Sequence, residues 1–202
     1  IPSYALNFAN AAERFMDVSV SGYRDTDLIA RGPAVAARRY PTTIRYGDHE
    51  VRLGVYPVGV DVDFFGQQAQ SAETEQRVRE IRASTEAATF ILAAERLDYV
   101  KGLLERVECF ERFLQRHPEL HGQVTFIQIA VPTRTGMEEF QEIRRQVEEA
   151  VGRINGSYGT MTWRPILHFY GSFDRPELVA FYRVADLLWV TPLRDGLNLV
   201  VK

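Results

Sequence analysis

Cysteine is almost missing: Cys109 is the only one in 202 residues, so no disulfide can close within the chain. Together with the four histidines His49, His117, His121 and His168 it shows no zinc-ligand spacing. No apolar run approaches the roughly 18 residues of a membrane-spanning helix, and no signal-peptide pattern is present. Basic excess is lacking too. Against 27 Asp and Glu stand 24 Lys and Arg, and the resulting net charge of -3 argues against nucleic-acid and membrane-surface binding. There is no P-loop, no G-x-G-x-x-G, no fixed-period repeat and no low-complexity tract, which disfavours an ATPase or an ordinary dinucleotide site. Lysine is scarce. Only Lys101 and Lys202 are lysines and the other 22 basic residues are arginines, a bias of genome composition that makes the compact ammonium of Lys101 stand out. These absences predict a soluble protein of a reducing compartment, read as cytoplasmic.

What is there is globular. A 46% hydrophobic content supplies a sizeable core, and 25% charged residues match the average of folded domains. Tyr4, Phe8, Ala11, Ala12 and Phe15 have helical spacing, with Ser3 as N-cap. Residues 17–40 read as loop with a short strand. A hairpin follows, from Thr43–Tyr46 through Gly47-Asp48 to Val51, Leu53 and Val55. The polar stretch Gln67–Arg77 reads as a linker or the exposed start of a helix reaching about Ser84. From Thr89 the pattern changes. Apolar runs at Phe90–Ala94, Val124–Val131, Ile166–Tyr170 and Leu187–Val190 alternate with three amphipathic helices, the signature of a parallel α/β sheet with right-handed crossovers. The ends, Ile1 and Lys202, read as cuts inside structured regions of a longer protein.

Ligands of open parallel sheets bind beyond the carboxyl ends of the strands, so three loops matter. The first is Glu95-Arg96-Leu97-Asp98-Tyr99-Val100-Lys101-Gly102. Arg96 and Lys101 can reach one anion at a helix start, or can be surface cations paired with Glu95 and Asp98. The second, Val131-Pro132-Thr133-Arg134-Thr135-Gly136, carries Arg134 either as a phosphate reader or as an exposed loop residue. The third is Thr191-Pro192-Leu193-Arg194-Asp195-Gly196-Leu197-Asn198-Leu199. Its Asp195 can accept from sugar hydroxyls while the following amides face developing negative charge; the plain alternative is a capping aspartate. Cys109 reads as core packing, His168 as a satisfied interior histidine, and Trp163 and Trp189 as core or sheet-edge residues. Glu138, Glu139, Glu142, Glu148 and Glu149 with Arg144 and Arg145 read as a solvated helix face.

The first and third loops, together with Gly152-Arg153-Ile154-Asn155-Gly156, resemble the trehalose-6-phosphate synthase family of retaining glycosyltransferases over nearly the whole chain. The resemblance implies a GT-B fold of two Rossmann-like domains. Residues 1–66 would then end the N-terminal, acceptor-side domain, 67–87 would be linker and helix, and 88–202 would be the first half of the donor-nucleotide domain. It implies transfer of glucose from a nucleotide sugar to glucose 6-phosphate, as in osmolyte synthesis, with UDP-glucose the expected donor and GDP- or ADP-glucose left open. No metal or other cofactor is implied, and a homo-oligomer is compatible with it. The 202-residue piece alone is expected to be inactive.

Roles follow residue by residue from the same resemblance. Arg96 and Lys101 match the pair that holds the donor diphosphate, and Asp195 matches the carboxylate on the donor glucose. Gly196, Leu197 and Asn198 supply amides there, and Leu199 and Val200 match backbone contacts near the nucleotide. Arg134 and Arg175 match arginines on the acceptor side. Glucosylglycerol-phosphate synthases, of the same family, favour leucine at the Leu197 position but lack both acceptor-side arginines, so two residues favour glucose 6-phosphate over glycerol 3-phosphate. A catalytically silent, regulatory glycosyltransferase-like domain stays open as a third reading.

Overall fold

The computed structural model describes residues 2–25, 39–56, 58–195 and 198–201. The chain forms two compact units, Ile1–Gly59 and Val60–Lys202. In the first, helix α1 (Pro2–Phe15) lays Ala9 and Ala12 on Ile44 of an antiparallel sheet of order β1-β2-β3. Its strands are β1 (Ser19–Asp25), β2 (Arg39–Tyr46) and β3 (His49–Arg52). Gly47, at φ +55, makes the hairpin turn that the Gly-Asp pair predicts. Nine residues of the stretch expected to be mostly loop, 19–25 and 39–40, are therefore strand. Ser3 falls inside the first turn of α1, whose start at Pro2 overrides the expected cap.

The second unit opens with two helices, α2 (Val62–Ala69) and α3 (Ala72–Ala83). Ser71 separates them, its hydroxyl accepting from the Thr74 amide at 3.1 Å as N-cap of α3. The polar 67–77 stretch is thus helix interrupted by a cap. The α/β alternation follows: β4 (Thr89–Arg96), α4 (Leu103–Arg116), β5 (Val124–Val131), α5 (Glu138–Tyr158), β6 (Ile166–Tyr170), α6 (Arg175–Val184) and β7 (Leu187–Leu188). All strand pairs are parallel in the order β6-β5-β4-β7, in register from Thr89↔Val124 to Arg96↔Val131. The continuous apolar runs follow from burial on both faces. Residues 124–130 of β5 are all buried, and Phe90, Leu92, Phe126, Ile127 and Ile129 fill the core with Leu103, Val107, Phe110 and Leu114 of α4. Each such side chain contributes roughly 1.5–3 kcal/mol of hydrophobic stabilisation. Trp163 is fully buried and its indole donates to the Val124 carbonyl at 3.0 Å.

Three expectations are corrected. Cys109 is exposed: it lies two residues past Val107, about 200° around the helix from the buried stripe. The fourth strand is two residues long, and Leu187 and Leu188 are both exposed. His168 is half-buried on β6 with its Nδ1 enclosed and without a hydrogen-bond partner, so it is not fully satisfied as expected; burial lowers its pKa, outweighing the nearby Glu148 carboxylate and the Gln128 backbone.

Candidate functional site

From β4 the chain passes to β5 and β6 on one side, then crosses back through α6 to place β7 on the other side of β4. This reversal opens a crevice at the carboxyl ends of β4 and β7, the place where open α/β sheets bind ligands. Two loops face each other there. In the first, the Asp98 carboxylate accepts from the Val100 amide at 3.2 Å and starts a 3-10 turn, Tyr99–Lys101. Gly102, at φ +65, then turns the chain into α4. A Cβ on Gly102 would sit 3.0 Å from the Thr191 carbonyl oxygen, so the loops pack backbone against backbone. The Arg194 amide donates to the Val100 carbonyl at 3.1 Å across the same seam.

This packing brings two predicted residues together. Lys101 Nζ donates to Asp195 Oδ2 at 2.5 Å, with side chains 12% and 17% exposed. Lys101 pairs with neither Glu95 nor Asp98, which removes the plain surface-pair reading. An ammonium carries three N–H donors, and one is committed to Asp195, so the others can meet an anion. Arg96 ends β4 and is exposed. Among the described residues its guanidinium has no hydrogen-bond or ion-pair partner.

Beneath the pair lies Arg106, which sequence reading missed. Its side chain is 0% exposed and pairs with Glu95 Oε2 at 3.0 Å. It also donates to Thr191 Oγ1 at 3.0 Å, Gln128 Oε1 at 3.1 Å and the Lys101 carbonyl at 3.1 Å. Glu95 Oε1 is buried without a partner. The signal was in the spacing. Arg106 stands three residues after Leu103 and four before Phe110, on the apolar stripe of α4.

The remaining predicted residues are more dispersed. Arg134 has φ +44, a left-handed conformation that costs a residue with a side chain roughly 1–2 kcal/mol. Its guanidinium lies 5.8 Å from the Phe140 ring centre. Thr133 and Thr135 line a cleft of about 620 Å³ at the carboxyl ends of β4, β5 and β6, together with Phe140, Arg144 and Tyr170. Arg144 stacks 3.9 Å from the Tyr170 ring centre and pairs with Glu148; Arg145 pairs with Glu142 and Glu149. The cleft's own cations are thereby occupied. Arg175 begins α6, exposed, 5.6 Å from the Phe64 ring centre. No contact joins Arg134 to Arg175.

Asn198 Oδ1 accepts from the Val200 amide at 3.0 Å, at the start of the turn Leu199–Val201. Gly196 and Leu197 lie outside the described residues. Within Gly152–Gly156, Asn155 clamps the start of β6, its amide bonding both the N–H and the carbonyl of Ile166 at 2.9 Å. Among the described residues no three His, Cys, Asp or Glu side chains cluster as a metal site would need, and no helix is long and apolar enough to cross a membrane.

The parallel α/β unit with its switch-point crevice is part of a GT-B type glycosyltransferase fold, the architecture of the solved structures it superposes on. Glycosyltransferase family 20 matches residues 1–202, and the chain belongs to that family. It is 38% identical over 199 residues to a bifunctional trehalose-6-phosphate synthase/phosphatase of Thermoproteus tenax, covering 98% of this chain and 25% of that one. It is equally identical over 205 residues to a glucosylglycerol-phosphate synthase of Picosynechococcus, covering 100% of this chain and 41% of the relative. Among solved structures, an α,α-trehalose-phosphate synthase (UDP-forming) of Burkholderia xenovorans in complex with glucose-6-phosphate superposes with a TM-score of 0.80 at 34% identity. That match covers 96% of this chain and 39% of the other. The chain therefore spans well under half the length of these relatives.

Proposed function

We propose that the chain carries part of the donor site of a retaining glucosyltransferase that moves glucose from UDP-glucose to glucose 6-phosphate, giving trehalose 6-phosphate and UDP. The Lys101–Asp195 pair at the switch point carries this reading. Asp195 accepts from hydroxyls of the donor glucose. Lys101 and Arg96, which has no partner among the described residues, meet the diphosphate, supplying by side chain the positive charge that the leaving group needs. Charge on the diphosphate grows as the anomeric C–O bond breaks, so fixed cations stabilise the transition state more than the ground state. The acceptor hydroxyl forms the new C–O bond on the same face, and its proton passes to the departing phosphate oxygen; no protein nucleophile is required. Arg134 and Arg175 are the acceptor-side cations, and the cations of the neighbouring cleft, Arg144 and Arg145, are already paired.

The identity to a glucosylglycerol-phosphate synthase over the full chain favours a second reading, with glycerol 3-phosphate as acceptor. One experiment separates the two. The whole protein is given UDP-glucose with both phosphates at equal concentration, and trehalose 6-phosphate is the expected main product. Glucosylglycerol phosphate would assign the second reading. Nucleotide binding without transfer to either acceptor would make the protein a silent, regulatory member of its family.

A further inference from the structure

We propose that Arg106 is a positioning residue that sets the spacing between Lys101 and Asp195. This rests on the donor-site reading of those two residues. The guanidinium donates four hydrogen bonds to four separate pieces of chain: Glu95 at the end of β4, Gln128 in β5, the Lys101 carbonyl and the Thr191 hydroxyl. The last two belong to the loops that carry the functional pair. Lys101 is held by its own carbonyl, and Asp195 lies four residues beyond the Thr191 anchor, after a seam already sealed by Gly102 and the Arg194 amide. A planar fork of fixed N–H directions can serve these acceptors at once; an ammonium on a flexible stem cannot. Glu95 balances the charge, and its unpartnered Oε1 shows that the network is arranged around the arginine and does not fully satisfy the carboxylate. Placing so costly a group in the core, with every one of its recorded hydrogen bonds made to protein, is consistent with holding two loops in register.

The test uses the whole protein in four forms: wild type, Thr191→Val, Arg106→Lys and Arg106→Met. Thr191→Val removes one anchor and keeps the shape of the site, so it is the variant least exposed to misfolding. Two readouts are taken: steady-state kinetics, and the rate at which an amine-acetylating reagent modifies Lys101, followed by peptide mass spectrometry. Thr191→Val loosens the Asp195 loop and Arg106→Met loosens both loops, so in each the contact between Lys101 and Asp195 weakens. Acetylation should rise at least threefold in Thr191→Val and further in Arg106→Met, while kcat falls 10-fold or more and the acceptor KM stays within twofold. Arg106→Lys should not restore either value. Wild-type acetylation and kcat in Thr191→Val, with only a lowered unfolding temperature in Arg106→Met, would reduce Arg106 to a core-filling residue and overturn the proposal. The labelling readout needs no turnover. Faster acetylation in a protein that transfers no glucose would sink the proposed function and leave the positioning role standing.

Discussion

Gly102→Ala is expected to destabilise the second unit by about 3 kcal/mol, within a range of about 1–4.6 kcal/mol, worked from two contributions and one offset. Holding an L residue at φ +65 costs roughly 1–2 kcal/mol. The new methyl would stand 3.0 Å from the Thr191 carbonyl oxygen, and easing packed backbone apart costs typically about 1–3 kcal/mol. Stiffening the unfolded chain returns about 0.4–1 kcal/mol. Gly122→Ala is the matched control. Gly122 has φ +79 with nothing within 4 Å of its would-be Cβ, so it carries only the first contribution and the offset, about 1 kcal/mol net. Both tryptophans of the sequence, Trp163 and Trp189, lie in the second unit, so urea unfolding followed by tryptophan fluorescence reports on that unit. In the whole protein Gly102→Ala should also slow turnover, because the strained seam is the one that holds Lys101 beside Asp195; Gly122→Ala should not. Equal stability losses in the two variants would refute the close-approach argument.

In the whole protein, Lys101→Ala should lower kcat by roughly 10²-fold or more, the scale of losing one donor to developing negative charge; a near-wild-type steady-state rate would contradict its role. Arg134→Ala should raise the KM for glucose 6-phosphate at least 10-fold with little change for UDP-glucose, and an unchanged acceptor KM would remove Arg134 from the acceptor site. His168 has a pKa lowered below its ordinary value of 6.5, so the unfolded chain binds a proton there before the folded one does. Its contribution to stability is therefore intact above about pH 6.5 and is lost as the pH falls from that value through the lowered one. Unfolding temperatures measured from pH 8 to 5 should show a smaller acid slope in His168→Leu than in wild type.

The site was legible in part because loops at the carboxyl ends of parallel strands can be found from the alternation of runs alone. Lys101 and Asp195 stood out there by chemistry and by scarcity, and the structure pairs them. Their pairing was not legible, since it depends on Gly102 meeting Thr191, a contact between residues 89 positions apart. Arg106 was passed over because arginine on a helix suggests a solvated face, although its place on the stripe of Leu103, Val107, Phe110 and Leu114 says otherwise. Cys109 fails for the opposite reason: an apolar type among apolar neighbours, at an angle that the 3.6-residue period turns outward. Strand β1 was hard to see because Gly22 interrupts it at φ +61 and its pattern, Ser-Val-Ser-Gly-Tyr, is set by pairing with β2 and not by burial.

Ninety-four residues separate the lysine from the aspartate that holds it. At a synthesis rate of about 5–20 residues per second, the growing chain spends roughly 5–20 s with the turn at Lys101 made and its partner not yet translated. For most of that interval, once residue 131 has been added, the central strand β4 has β5 to pair with but not β7, and the Arg106 fork has no hydroxyl at residue 191 to grip. A nascent chain halted between these points would hold a folded hydrophobic layer and no place to seat a pyrophosphate. The capacity to bind the donor arrives late, with the return crossing of α6, as the last element of the sheet closes over its first.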